Sequence, residues 1–137
     1  RGNELIIGGS FQSIGGLPIK YVGIVNIHSG SPRIWNRYSS MLSHTVNALA
    51  LYGNTLYIGG DFTGNNNYKY LVSLDVSVTT PNPTNWFPKV TGGVNSLIVD
   101  DSTLFVGAGA NKYFNRVSEE PHPQLFSYGL GVTNVLQ

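Results

Sequence analysis

The amino-acid sequence predicts an all-β fold built from repeated units of four short strands. Seventeen glycines and seven prolines separate short runs rich in Val, Ile, Leu, Tyr and Phe, a pattern typical of brief strands joined by turns. No long window keeps the 3.6-residue apolar period of an amphipathic helix. A glycine phrase also recurs along the chain, as LIIGGSF at 5–11, LYIGGDF at 56–62 and a degraded LFVGAGA at 104–110.

A second strand precedes the glycine phrase, and the two are predicted to form a β-hairpin. The segments VNALALYGNTL at 46–56 and VNSLIVDDSTL at 94–104 align without a gap. Gly53-Asn54 and Asp101-Ser102 fall at two-residue turns, which favour residues that accept a positive φ. We name the strand before the turn A and the strand with the glycines B.

Two further runs follow each B strand. The first begins with tyrosine and is named C: YVGIVNI at 21, YLVSLDV at 70 and YFNRVSE at 113. The second is aromatic and is named D: RIWNRY around Trp35, NWFPKV around Trp86 and QLFSYG around Phe126. Four antiparallel strands in a repeat of about 40 to 50 residues are typical of a β-propeller blade. A β-sandwich of unrelated hairpins is the alternative, but it does not explain the aligned phrases.

The repeats divide a single propeller segment, residues 1–137, into three blades. The predicted limits are about 1–45 for blade 1, 46–93 for blade 2 and 94–131 for blade 3, with an orphan A strand, VTNVLQ, at 132–137. Blade 1 begins at strand B, so the chain is circularly permuted by one strand.

The spacing of the orphan strand suggests how the ring is completed. Val132 would precede Leu5 of a following copy by ten positions, as Val46 precedes Leu56. Propellers have about four to eight blades, so three are too few to close a ring. We expect about six blades, completed by a second copy in a homodimer or by the remainder of a longer parent protein.

The order of the motifs resembles a known repeat family. LYIGGDFT is followed by YLVSLDV, by Trp86-Phe87-Pro88 and by V-x-x-L. This succession resembles the delta-60-type and Rax2-like β-propeller repeats, whose pattern is approximately LYVGGxF, LARLD, W-x-P and VxALA. The third copy departs from the pattern, with Ala108 and Ala110 where glycine and phenylalanine are expected. The resemblance implies a propeller fold in a secreted or cell-surface protein.

Composition excludes several classes of partner. Charged residues make up 11% of the chain, with 8 Lys and Arg against 7 Asp and Glu, so no basic stripe is available for nucleic acid. No apolar run is long enough to span a bilayer. The lack of cysteine excludes disulfides and thiolate metal sites. Because the chain begins with Arg1 and has Met41 as its one methionine, we expect a processed product or a piece of a longer protein.

Neither a nucleotide site nor a metal site is predicted. No helix follows Gly8-Gly9 or Gly59-Gly60, so these glycines are expected to permit close packing rather than to bind phosphate. Asp61 is followed by the asparagines at 65–67, but Ca²⁺ takes about six to eight oxygen ligands and usually several carboxylates. We therefore expect a turn role for Asp61.

No catalytic residue or cofactor is predicted either. His28, His44 and His122 fall at unrelated places in the repeats, so a zinc site is not expected. No nucleophile-elbow phrase surrounds a serine that could act with a histidine and Asp100 or Asp101. The aromatic residues that recur at one strand position are expected to pack between blades: Trp35, Trp86 and Phe126 in D, and Tyr21, Tyr70 and Tyr113 in C.

The loops that differ between copies are the better candidates for recognition. The B–C connections (12–20 and 63–69) and the D–A connections (39–45 and 91–93) are expected at one end of the blades. Their candidate ligand-binding residues, for a glycan or a protein loop, are Gln12, His44, Asn66 and Tyr68.

The predicted function is a non-catalytic extracellular or cell-surface module for binding or assembly, in adhesion, a surface layer or a filament scaffold. A carbohydrate-binding lectin with repeated inter-blade or loop sites is the first alternative. A hydrolase or lyase at the central channel is the second, and it requires several inward carboxylates or histidines in a chain with seven acidic residues.

Overall fold

A computed structural model places the strands in three antiparallel sheets. It describes residues 2–33, 42–63, 69–78, 82–84, 86, 88, 90, 92–108, 125–129 and 135–136, and the regular structure in these ranges is all β. Sheet 1 has the order β1-β2-β3, with β1 (Glu4–Gly8), β2 (Val22–Asn26) and β3 (Pro32–Arg33). No helix in the described ranges is long and apolar enough to cross a membrane.

Sheets 2 and 3 each contain four strands in sequence order. Sheet 2 consists of β4 (Val46–Tyr52), β5 (Thr55–Gly60), β6 (Leu71–Asp75) and β7 (Asn82–Pro83). Sheet 3 consists of β8 (Val94–Asp100), β9 (Thr103–Ala108), β10 (Leu125–Gly129) and β11 (Val135–Leu136). Strands A, B and C of the predicted second unit are therefore β4, β5 and β6.

The two predicted A–B hairpins are confirmed. Tyr52 pairs with Thr55 across Gly53-Asn54, and Asp100 pairs with Thr103 across Asp101-Ser102. The first residue of each turn has a positive φ, 59° at Gly53 and 56° at Asp101. Asparagine and aspartate tolerate this region better than most residues with a side chain, which explains why the third copy can use Asp101.

Each A strand also carries a bulge opposite the end of strand B. The register shifts between Val46 and Ala48 in β4, and between Val94 and Ser96 in β8. The residue in the bulge is an asparagine both times, Asn47 and Asn95. A bulge turns the strand locally and redirects one side chain, which here directs Asn47 toward the neighbouring sheet.

The core lies between the sheets and consists of two apolar clusters. The first cluster joins sheets 1 and 2 and contains Val22, Ile24, Leu42, Val46, Leu56, Ile58, Phe62, Val72, Leu74 and Val76. The second joins sheets 2 and 3 and contains Tyr57, Leu71, Val90, Val94, Leu97, Leu104, Val106 and Ala108. Because successive side chains of a strand point to opposite faces, β5 contributes to both clusters, and sheet 2 is covered on both faces.

The fourth strand of sheet 2 differs in position from the predicted D strand. The structure places β7 at Asn82–Pro83, where it pairs with Leu74 and Asp75, whereas the sequence suggested the run around Trp86. Trp86 lies in the segment that follows β7 and packs against the second cluster. The prediction took this packing residue as the centre of the strand, so strand D was placed too late in the sequence. The corresponding residue Trp35 lies outside the described residues.

Sheet 3 also differs from the predicted strand assignment. The run around Phe126 forms β10 and pairs with β9, so it takes the third place, and the predicted orphan strand provides β11, which pairs with β10. Consecutive strands commonly pair with each other, and this tendency prevails over the resemblance of VTNVLQ to β4. The predicted C run at 113–119 lies outside the described residues.

Candidate binding surface

The B–C and D–A connections meet at one end of the sheets, which we name the loop end. The main-chain N–H of Val46 donates to the carbonyl of Gly9 (3.1 Å), and that of Asp61 donates to the carbonyl of Thr45 (2.9 Å). The N–H of Thr63 donates to Ser43 Oγ (3.2 Å). These bonds join the segment at the start of β4 to the residues that follow β1 in sheet 1 and β5 in sheet 2.

Gln12 belongs to the B–C connection of sheet 1. Its Nε2 donates a hydrogen bond to the hydroxyl of Tyr21 at 3.3 Å, so an amide and an aromatic ring lie together at the loop end. The connection is held by a two-way main-chain bridge between Ile14 and Leu17, and it buries Ile19 at 1% exposure. The scaffold beneath Gln12 is therefore well packed.

His44 belongs to the D–A connection that precedes β4. Its side chain is exposed, while the preceding Leu42 is buried in the first cluster. Because Val46 bonds Gly9, His44 and Gln12 lie at the same end of the sheets, each in its own loop. Asn66 and Tyr68, the other two predicted ligand-binding residues, lie outside the described residues.

His28 and Asp61 form hydrogen bonds with asparagine side chains. His28 is exposed, and its Nε2 hydrogen-bonds Asn3 Oδ1 at 3.1 Å; His122 lies outside the described residues. Asp61 Oδ2 accepts from Asn47 Nδ2 (3.3 Å), and the same nitrogen donates to the carbonyl of Val94 (3.0 Å). In the described part of the chain, no three His, Asp or Glu side chains are grouped as a metal site.

This polar junction between sheets 2 and 3 was missed by the sequence interpretation. Asn47 bridges to the first residue of β8, and Gly93 leaves room for the Asp61 carboxylate, which a Cβ at position 93 would overlap. The sequence signal for it is the Val-Asn pair that begins both VNALAL and VNSLIV.

The repeated tyrosine before strand C occupies a strained turn. Tyr21 and Tyr70 have φ values of 66° and 65°, and the residues on either side close a γ-turn, with Val22 N–H to Lys20 O and Leu71 N–H to Lys69 O, both 2.7 Å. A γ-turn with positive φ is rare for a residue with a side chain. Both rings pack against a cluster, Tyr21 the first and Tyr70 the second, as the packing prediction expected.

The glycines of the B strand permit the close approach of the next sheet. A Cβ at Gly8 would lie 2.6 Å from Val46 Cγ1, and one at Gly59 would overlap Val94 Cγ1. Val46 and Val94 are the first residues of consecutive A strands, so the same contact occurs at both sheet interfaces. Gly8 and Gly59 are therefore explained by packing.

Tyr57 and Trp86 form an aromatic pair in the second cluster. Their ring centroids are 5.2 Å apart and the rings are nearly perpendicular, at 84°, an edge-to-face geometry. Burial raises the pKa of the Tyr57 hydroxyl, and the neighbouring Tyr52 raises it further.

The outer faces of sheets 1 and 3 carry exposed apolar side chains. The outer face of sheet 1 consists of Leu5, Ile7, Val25 and Ile27, which point away from the first cluster. Leu5 and Ile27 are 54% and 56% exposed. On the opposite side of the molecule, the cross-strand pair of Ile98 and Phe105 forms the outer face of sheet 3, with 63% and 38% exposure.

Comparison with protein families identifies the family of the chain. The model of the Rax2 C-terminal β-propeller domain matches residues 1–124. The chain belongs to this Rax2 family. No match was found among curated proteins. The predicted Rax2-like propeller repeat and the predicted all-β propeller fold are both confirmed.

The Rax2 match ends before β10, so it covers sheets 1 and 2 and the first two strands of sheet 3. The repeated glycine phrase and the tyrosine-led run align positions in the three sheets: Leu5 corresponds to Leu56 and Leu104, and Ile27 corresponds to Val76.

Proposed function

We propose that this Rax2-type domain is a non-catalytic extracellular or cell-surface module that binds other polypeptides and assembles with them. Its partners, in this proposal, include a second copy of the chain or the remainder of a longer parent protein. The cell-surface association of the Rax2 family supports this location. Adhesion, a surface layer and a filament scaffold are the roles that such a module would serve.

The exposure of the outer face of sheet 1 carries the proposal. Leu56 and Leu104 are 1% and 0% exposed, whereas their equivalent Leu5 is 54% exposed. Val76 is 6% exposed, whereas its equivalent Ile27 is 56% exposed. Burial of apolar area favours association by about 25 cal/mol per Å², so a face that is buried in one repeat and open in another favours a partner.

A second copy is the simplest partner because the chain carries both halves of such an interface. The outer face of sheet 3 presents Ile98 and Phe105, which continue the repeat beyond the second cluster. Packing this face on the outer face of sheet 1 of another copy would reproduce the interfaces within the chain. Two copies joined in this way at both ends would form a ring of six blades.

Sedimentation velocity over a range of concentrations tests the assembly. The wild-type chain is expected to associate, and Ile27→Asp is expected to remain monomeric, because the carboxylate would be buried at the interface. Val78→Asp is the matched control: Val78 is also exposed, at 44%, but follows β6 in sheet 2. A wild-type chain that stays monomeric at high concentration, or equal effects of the two variants, would contradict self-assembly.

A lectin function is the second candidate, favoured by the contact between Gln12 and Tyr21. Sugars are commonly bound by an aromatic ring with a planar polar group beside it, and both lie at the loop end. A glycan array probed with wild-type protein and Gln12→Ala tests this function. Binding of one glycan class that the variant loses would support it, and the absence of binding would favour assembly alone.

A further inference from the structure

We propose that the loop end binds an acidic polysaccharide, whose negative groups are held by lysines at equivalent positions of neighbouring sheets, Lys20 in sheet 1 and Lys69 in sheet 2. This proposal deepens the lectin function, the second candidate above, on which it rests, by naming the class of sugar and the groups that hold it. It does not depend on self-assembly.

A Lys-Tyr pair opens each C run, and this repetition is the first observation. The pair occurs as Lys20-Tyr21, Lys69-Tyr70 and Lys112-Tyr113, so three of the four lysines of the chain stand at one place in the repeat. The third copy lies outside the described residues. Packing explains the repeated tyrosine, because the described rings contact the core clusters, but it does not explain the lysine before it.

Main-chain hydrogen bonds fix the two described pairs in the same way. In each sheet the tyrosine exchanges two bonds with the end of the preceding strand. These are Gly9 N–H to Tyr21 O (2.9 Å), Tyr21 N–H to Phe11 O (3.2 Å), Gly60 N–H to Tyr70 O (2.9 Å) and Tyr70 N–H to Phe62 O (3.0 Å). The carbonyl of each lysine also closes the γ-turn around its tyrosine. Lys20 is exposed and Lys69 partly exposed, so each ammonium extends from a fixed main chain at the loop end.

The start of β4 connects the two lysine positions. Val46 N–H donates to the carbonyl of Gly9, and Asp61 N–H donates to the carbonyl of Thr45. The segment at 45–46 therefore contacts the residues after β1 and the residues after β5. A polymer that reaches from one lysine to the other crosses this segment, next to the exposed His44.

The distribution of charge between the two ends of the sheets is the second observation. We name the end with the A–B turns the turn end. Four of the five acidic residues in the described part of the chain lie there: Glu4, Asp75, Asp100 and Asp101. Arg33 is paired with one of them, Glu4, at 2.9 Å. The turn end therefore repels a polyanion.

The loop end has the opposite balance. Among the described residues, Asp61 is its one acidic side chain, and that carboxylate accepts a hydrogen bond from Asn47. Neither Lys20 nor Lys69 forms an ion pair with a described residue. Their charges are therefore available to an anionic ligand, and the field of the protein directs such a ligand to this end.

Neutral groups beside Lys20 favour a sugar polymer over other polyanions. The amide of Gln12 and the hydroxyl of Tyr21 are in contact, and such groups suit the hydroxyls of a sugar. Nucleic acid binding draws on many phosphate contacts, which two lysines do not provide. One lysine per sheet suits a polymer with repeated anionic groups, because the second contact of a bound chain is intramolecular.

Immobilised polygalacturonate, a polymer of carboxylated sugars, is the probe, and its methyl ester, which has the same sugars without the charge, is the matched control. In biolayer interferometry, the full wild-type chain is expected to bind the acid and not the ester. Binding should weaken between about 0.15 M and about 1 M salt, because the screening length falls from about 8 Å to about 3 Å.

Charge removal tests the two lysines. Lys20→Gln and Lys69→Gln are each expected to weaken binding about fivefold, because one contact between opposite charges is lost. The double variant should weaken it about 25-fold if the two sites contribute independently. Asn54→Asp, at an exposed residue of the turn end, changes the net charge by the same amount and should bind normally.

Charge addition gives a second pair of variants. Thr63, the exposed residue equivalent to Gln12, lies at the loop end, and Asn54 lies at the turn end. Thr63→Lys is expected to strengthen binding to polygalacturonate, whereas Asn54→Lys should leave it unchanged. Because unfolding does not strengthen binding, a gain at position 63 reports the place of the charge.

Several results would overturn the proposal. These are equal binding of the acid and the ester, normal binding by both lysine variants, and equal gains from the two added lysines. Tighter, lysine-dependent binding to vesicles of phosphatidylserine and phosphatidylcholine would assign the loop end to a membrane surface instead. Binding of a neutral glycan that both lysine variants retain would keep the lectin function and exclude the acidic ligand.

The sugar site and the self-assembly can fail separately. Ile27→Asp is expected to be monomeric, but it retains both lysines and should still bind polygalacturonate. A chain that associates in sedimentation and binds neither the acid nor a neutral glycan would exclude this proposal and the lectin function, and it would leave the assembly function standing.

Discussion

Gly60 lies directly against the carbonyl oxygen of Thr45, so that a Cβ atom at position 60 would overlap it. The bond from Asp61 N–H to the same carbonyl (2.9 Å) fixes this approach at the loop end. The contact joins the end of strand B to the start of its own strand A. At Gly9, the equivalent position, the described residue nearest to such a Cβ is Phe11, whose ring lies 3.3 Å away.

Alanine substitutions at these two glycines are expected to have unequal effects. Gly60→Ala should lower the free energy of unfolding by about 1–3 kcal/mol, because the main chain of Thr45 must move. Gly9→Ala should change it by less than about 0.5 kcal/mol, since the Phe11 ring is the one described group within 4 Å of the new methyl group. Urea unfolding of both variants measures the difference, and equal losses would contradict the geometry.

Leu56 and Leu5 provide a second matched pair. Leu56→Ala should lower the free energy of unfolding by about 2–5 kcal/mol, because it leaves a cavity in the first cluster. Leu5→Ala should cost less than about 1 kcal/mol in the monomer, because its side chain is half exposed. Urea unfolding at low protein concentration is the measurement. A large loss at Leu5 that grows with concentration would instead indicate burial by association.

Much of the fold was predictable because the repeat aligns positions with the same environment. The hairpins at Gly53 and Asp101 followed from local turn chemistry, and the close packing at Gly8 and Gly59 followed from the glycine phrase. The places where strands β7, β10 and β11 pair were not predictable. Strands β7 and β11 have two residues each, and the sequence pattern of β10 does not indicate which neighbouring strand it pairs with.

The candidate site was less predictable than the fold. Spacing placed Gln12 and His44 at one end of the sheets, but it could not indicate whether they touch. The different exposure of Leu5 and Leu56 could not be predicted from local sequence, because the two leucines have almost the same neighbours along the chain. Their difference arises from the strand and the sheet beside them, which are long-range features.

Tyr57 is expected to make stability fall at alkaline pH. Its pKa in the folded chain lies above the ordinary value of 10.0, chiefly because of burial and also because of Tyr52. The tyrosine therefore ionises more readily in the unfolded chain. Its contribution to stability is complete below about pH 10 and is lost as pH rises through the raised pKa of the folded state.

Urea unfolding between neutral and strongly alkaline pH, for wild type and Tyr57→Phe, measures this effect. The variant should lose less stability than the wild type as the pH rises. The other tyrosines are present in both proteins, so their contribution is removed when the two free energies of unfolding are subtracted. Tyr52→Phe should reduce the effect without removing it, because burial is the larger cause. Parallel pH curves for wild type and Tyr57→Phe would show that the pKa is not raised.

The positive φ of Tyr70 predicts an unusual order of stability for substitutions. Tyr70→Ala and Tyr70→Gly both remove the ring from the second cluster, but alanine retains the strain of the γ-turn, worth about 1–2 kcal/mol in the left-handed region. The glycine variant should therefore be the more stable of the two. Thr55, in the extended strand β5, is the control position, where glycine should be less stable than alanine by about 0.5–1 kcal/mol. Urea midpoints for the four variants test both orders, and a less stable glycine variant at position 70 would show that the turn is not strained in solution.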